Sequence, residues 1–408
     1  MPRPKGNTRL KAARLAAGYN SQEALAGALG VGVRQVRRWE SAAPPWPQPE
    51  QEQALTRLLG QDLEALGFTP TGGGPRWSGR RAVPTVPATA VGLPAVPTRS
   101  FAVQPASAAE DYEAVTRSHR RLYWTVPPTT LHPAALAHAT LGCALLSETA
   151  GQTRQRVATA LAESYLLAGR IEFFDLRDAD RAGGTLLCAL QAAGEADDAL
   201  LGAAVLAHTA FIPGWTGRRD EAAERMVAAR TYARRGPASA ELLAWLDAVE
   251  AECETRCGHT RTALHLIGHA EDVLADGGEH DSPEWLDWFS RVRLAAFKGN
   301  TQLKAGHLPQ ARDTLLGVLD ALGPADGKQT TVVLGDLAAV EATAGDVEAA
   351  CGYAIRALNH LEETWYATGM ERVREVRRTL APHQQERCVR ELDDRLYVWS
   401  TTVSALAR

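Results

Sequence analysis

Between residues 160 and 360 the chain repeats one short device, and that device leaves few ways to fold. Five turns of similar sequence, LAGR, WTGR, RCGH, KAGH and TAGD, place glycines at Gly169, Gly217, Gly258, Gly306 and Gly345. Seven positions before each glycine stands a small residue: Ala162, Ala210, Ala251, Gly299 and Ala338. Five positions after the last four comes alanine (Ala222, Ala263, Ala311, Ala350), and seven further on Ala229, Ala270, Val318 and Ala357. Two antiparallel helices approach closely only where side chains are small, and glycine can take the positive φ that ends the first of them. A single hairpin of this kind cannot bury its apolar faces, whereas stacked copies share a continuous core. The spacing therefore predicts an all-α solenoid of helix pairs. An insertion breaks the phase after the first glycine, although Ala182 and Ala189 keep the seven-residue step.

The repeat sits within a longer helical region, residues 109–408. Residues 109–150 are expected to open the stack with one or two helices, and residues 366–404 to close it with a capping hairpin. Ahead of it, residues 69–108 carry seven prolines with few large apolar side chains, which reads as a flexible linker. Residues 1–68 then form a separate head. No run of about 18 apolar residues and no charged-then-apolar leader is present, so neither a membrane span nor a signal peptide is expected. The six cysteines are scattered and mostly in apolar helical surroundings, which suits a reduced cytoplasm.

Charge separates the head from the body. Residues 1–60 hold nine Lys and Arg against four Glu, while the whole chain carries a net charge of −4. A basic head on an acidic body points to a polyanionic partner for the head. Within it, residues 8–17 read as a first helix and residues 22–29, capped by Ser21, as a second. A Gly-Val-Gly turn leads to a third, VRQVRRWE, followed by a fourth over 50–60 and a short fifth over 61–68. At about 100° per residue, Val36 and Trp39 share the inward face of the third helix. Arg34 and Arg38 then point outward, with Arg37 on the flank.

SQEALAGALGV followed by V..WE resembles the helix-turn-helix of the XRE/Cro type of bacterial and phage repressor. The resemblance covers about 60 residues and implies a lambda-repressor-like five-helix domain that binds double-stranded DNA. Carried over position by position, it implies that Gln22 holds a phosphate. Val33, Arg34 and Arg38 reach base edges, and Gln35 and Arg37 lie along the backbone. Two departures stand out. Gly32 replaces the Ser or Thr expected to cap the third helix, and SAAPPWPQP rebuilds the loop after it. Trp46 in that loop either packs on the core or touches the sugar-phosphate backbone. The arm PRPK is either a disordered basic tail or reaches a neighbouring groove.

The repeat resembles the tetratricopeptide repeat (TPR), with a longer period than its usual 34 residues. TPR solenoids bind peptides or proteins on the concave face lined by the first helix of each hairpin. On this register the inward positions include Arg156, Glu163, Phe211, Trp215, Trp245, Glu252, Arg256, Arg293, Asn300 and Lys304. The joined arrangement resembles actinobacterial XRE–TPR regulators and, more distantly, peptide-sensing quorum regulators. The latter resemblance implies dimerisation through the repeats and ligand control of DNA affinity, so a homodimer that senses a peptide or protein is expected. Two alternatives remain open. One is a TPR scaffold for protein assembly with weak, non-specific DNA binding, and the other a phage- or plasmid-type repressor without a ligand. No nucleotide-binding glycine loop, HExxH or nucleophile elbow is present, so no enzyme is expected. Cys253, Cys257, His259, His265 and His269 cluster in sequence, but their spacing matches no familiar zinc site. No metal or cofactor is expected.

Overall fold

Short helices need their ends satisfied, and the head supplies those groups locally. The computed structural model describes residues 6–41 except 18, 44–59 except 46 and 48, then 61, 63, 66–68 and 104–406. They fall into two compact units, within residues 1–96 and 97–408. Trp46, the PRPK arm and residues 69–103 of the expected linker lie outside the described residues.

The first unit contains α1 (Thr8–Ala16), α2 (Gln22–Leu29), α3 (Val33–Trp39) and α4 (Pro49–Leu59). Asn7 caps α1 by accepting from the Leu10 amide at 3.2 Å, and Ser21 caps α2 by accepting from Ala24 at 3.0 Å. Gly30, at φ +65°, closes α2, and Gly32 leaves the start of α3 without a side-chain cap. Leu10, Leu25, Val36, Trp39, Leu55 and Leu66 form a core with no exposed surface. Among the described residues of 61–68, where a fifth helix is expected, none is helical: Gln61 is a bend and Leu63, Leu66 and Gly67 are turns. Gly67 at φ +83° and a bond from the Phe68 amide to the Leu63 carbonyl (2.9 Å) fold the chain back as at a helix end. Leu63, Leu66 and Phe68 are buried all the same.

The second unit opens with α5 (Ala106–Leu122) and α6 (Pro128–Glu148). Five packed pairs follow: α7 (Gly151–Arg170) with α8 (Ala179–Glu195), α9 (Ala199–Trp215) with α10 (Arg219–Ala233), α11 (Ala240–Arg256) with α12 (Thr260–Asp276), α13 (Arg291–Lys304) with α14 (Leu308–Ala321), and α15 (Gly327–Ala344) with α16 (Val347–Glu363). α17 (Ala367–Thr379) and α18 (Arg387–Leu406) come last. Among the described residues there is no strand, and no helix is long and apolar enough to cross a membrane.

Four of the five glycine turns behave as expected. Gly217, Gly258, Gly306 and Gly345 have φ between +73° and +88° and separate the helices of their pairs. The small residues of the repeat are buried where the two helices meet. Gly299 stands in for alanine because a Cβ there would lie 2.5 Å from the Leu315 side chain. The first glycine is different. Gly169 lies inside α7, where a Cβ would come within 2.8 Å of Leu186, so it serves close packing and not a turn. The chain runs on through one π-helical turn, Ile171–Asp175, and reverses at Arg177, whose φ is +60°. The inserted residues are that π-helical turn and the reversal after it.

The π-helical turn also joins the beginning of the stack to its end. α17 packs against it, with the Thr368 hydroxyl donating to the Phe174 carbonyl at 3.1 Å. The Trp365 indole donates to the Asp175 carbonyl at 3.4 Å, and Arg177 pairs with Glu371 at 3.1 Å. From α15, Lys328 reaches the Asp175 carboxylate at 2.6 Å, both side chains being buried.

Candidate functional site

In the first unit the exposed face of α3 follows from what its other face must bury. Val36 and Trp39 are fully buried, and helical geometry then puts Arg34, Arg37 and Arg38 outside, where all three are exposed. Among the described residues no carboxylate lies within 4.0 Å of any of these three guanidinium groups. Val33 and Gln35 are half-buried at the helix start.

The C-terminal end of α3 is fixed by Glu40. Its carboxylate accepts from Arg14 Nε at 2.7 Å and from Gln22 Nε2 at 2.6 Å, joining α1, α2 and α3. Arg14 also donates to the Tyr19 carbonyl, and the Asn7 amide group donates to the Trp39 carbonyl at 3.2 Å. Gln22, given a phosphate contact by the resemblance, is thus turned at least partly toward the protein. The result is a rigidly held short helix with three unpaired cations on its free side, an arrangement suited to a polyanion.

In the second unit the inner helices line a partly open chamber with a cavity volume of about 130 Å³. Its apolar wall is aromatic: Phe174, Phe211 and Trp215 line it in mutual edge contact, and Trp245 stands edge-on to Trp288. His208 sits in this wall, and burial, with Arg170 second, lowers its pKa to about 3, so it is a neutral ring. At one end Arg170, Arg293 and Lys328 gather around Tyr123 and Trp124. Arg170 lies 4.9 Å from the Tyr123 ring and 4.7 Å from Trp288, and Arg293 lies 4.8 Å from Trp124. Lys328 Nζ sits 3.5 Å from the Tyr123 ring. Burial lowers the pKa of both Arg293 and Lys328, and the nearby charge of Arg170 adds to it. At another side Arg372 pairs with Asp336 at 3.1 Å, and burial raises the Asp336 pKa to about 6.

Phe211, Trp215, Trp245, Arg293 and Asn300, placed on the inner face by the repeat register, line this chamber together with Glu252. Four others do not line it. Arg156 pairs with Glu113 at 2.7 Å, and Lys304 with Glu375 at 2.5 Å. Arg256 stacks 3.4 Å from the Trp215 ring and bonds Glu252, behind the wall. Glu163 is paired with Arg120 and lines a smaller adjoining pocket. Tyr123, Trp124, Arg170, Lys328, Tyr366 and Arg372 were not anticipated. Two aromatic pairs outside the repeat, Tyr123-Trp124 and Trp365-Tyr366, were the available signal.

The Cys/His cluster is dispersed. Cys253 is buried with its thiol toward the Ala210 carbonyl, and His269 bonds Asp247 at 2.6 Å. Among the described residues no group of three or more His, Cys, Asp or Glu is placed to hold a metal. No family model matches the chain, and no curated protein matches it either.

Proposed function

We propose that the chain is a sequence-specific DNA-binding transcription regulator of the XRE–TPR kind. In this reading α2, the glycine turn and α3 form a helix-turn-helix whose second helix enters the major groove. The body is a TPR-like solenoid that forms a homodimer and senses a ligand, with no catalytic role. The observation that carries the reading is the exposed, unpaired row Arg34, Arg37 and Arg38 on a helix anchored by Val36, Trp39 and Glu40. Arginine pairs bidentately with guanine O6 and N7, worth about 1–3 kcal/mol of discrimination per base. Arg34 and Arg38 are assigned to bases, Arg37 to phosphate.

A binding selection on genomic fragments at moderate salt tests this. The expected result is a recurring site whose preference disappears in the double variant Arg34→Ala/Arg38→Ala. Arg37→Ala is expected to weaken all sequences alike and to flatten the salt dependence by about one unit of slope. Equal affinity for every fragment would favour the scaffold reading instead.

A further inference from the structure

The chamber of the second unit has a surplus of positive charge and an aromatic body around it. Arg293 is compensated by Asp326 (2.8 Å) and Gln329 (2.6 Å), and Lys328 by Asp175 (2.6 Å). Arg170 has no direct partner, and the nearest carboxylate its charge acts on, Asp175, is already bonded to Lys328. Among the described residues no carboxylate lies within 4.0 Å of it, and its Nε is buried without a hydrogen-bond partner. Its guanidinium rests only against the rings of Tyr123, Trp124 and Trp288. Cation–π contact offsets only part of the cost of desolvating a cation, whereas a charge-assisted bidentate bond to a carboxylate is stronger and satisfies its donors. Two further cations beside it raise the cost of leaving that charge alone.

The wall of the chamber selects the body of the anion. Phe174, Phe211, Trp215 and Trp245 offer ring faces and edges to a flat aromatic group. Lys328 and Thr368, which bond the π-helical turn, line the chamber beside Phe174 of that turn, so its wall is built from distant segments and not from the repeat alone. We propose that the chamber is a binding site for a small organic carboxylate with an aromatic body, its carboxylate held by Arg170 and its ring stacked among Phe174, Phe211, Trp215 and Trp245. The site deepens the reading of residues 97–408 as the ligand-sensing unit, and replaces the extended peptide suggested by resemblance with a single-ring or fused-ring acid.

The test uses the full chain without DNA, so its outcome is independent of whether the head binds an operator. A panel of aromatic monocarboxylates (benzoate, phenylacetate, indole-3-acetate) is compared with the matching carboxamides by thermal shift and tryptophan fluorescence. At least one acid is expected to raise Tm and quench fluorescence where its neutral amide does not. Arg170→Gln is expected to weaken that acid about 10- to 100-fold, the range of a lost bond to a charged group. If Arg170→Gln fails to fold, Trp215→Leu provides a second reading: affinity for indole-3-acetate falls more than that for benzoate. The proposal is overturned if no acid outperforms its amide, or if Arg170→Gln folds and binds the acid as the parent does.

Discussion

Glu40 engages both carboxylate oxygens inside the first unit, one with Arg14 and one with Gln22. The side chains of Arg14 and Glu40 are 5% and 8% exposed, so the pair is hidden from water. Removing one partner of such a pair leaves the other charge buried, at a cost of about 3–5 kcal/mol. Glu40→Ala is therefore expected to destabilise the head by that amount, seen as lost hydrogen-exchange protection in α1–α3, while Ser21→Ala costs only about 1 kcal/mol. His208 makes a different prediction. Its ring stays neutral in the folded chain down to a pKa of about 3, while the unfolded chain takes up the proton near its ordinary value of 6.5. The unfolded state then binds more protons between those values, so this group's contribution to stability is complete above pH 6.5 and is lost as pH falls. His208→Leu should flatten the acid side of the stability–pH curve by about 1 kcal/mol per pH unit, measured by urea unfolding from pH 6.5 to 4.

Among the elements, two glycines of the repeat separate the two uses of that residue. Gly217 needs its positive φ but has open space where a Cβ would go; Gly299 lies within α13, with Leu315 in that space. Gly217→Ala is expected to cost about 1 kcal/mol through a left-handed backbone, and Gly299→Ala about 1–3 kcal/mol through overpacking. In a Leu315→Ala background the Gly299→Ala cost is expected to disappear while the Gly217→Ala cost stays the same, as a double-mutant cycle of thermal melts would read. Helix pairing was legible because small residues recur at a fixed distance from the turns. Gly169 misled because a glycine needed for close approach looks, in sequence, like one needed for a turn. Leu63, Leu66 and Phe68 show that apolar residues close in sequence are buried as well by turns as by a helix.

In the whole molecule, what sequence concealed was the meeting of distant segments. The repeat register put Phe211, Trp215, Trp245, Arg293 and Asn300 on the inner side, since each is fixed by its own turn. Lys328 and Asp175 are 153 residues apart, and nothing in either neighbourhood announces the other. Lys328→Met leaves Asp175 buried with only the Tyr123 hydroxyl, at 3.1 Å, on its carboxylate. That substitution is expected to cost about 3–5 kcal/mol. Adding Asp175→Asn should restore part of it, as a lower-cost neutral pair, in thermal unfolding.

The same meeting changes how such a stack can come apart. A linear solenoid is only as cooperative as its neighbour-to-neighbour contacts, and its outermost pairs fray first. Here α17 rests on the π-helical turn after α7, so the second unit is a necklace with its clasp shut. Opening either end means undoing the clasp, which ties the loosening of α7 to that of α17. Native-state hydrogen exchange should find these two helices opening together in the parent chain, and independently once Thr368→Val and Arg177→Ala have removed two of the contacts between them.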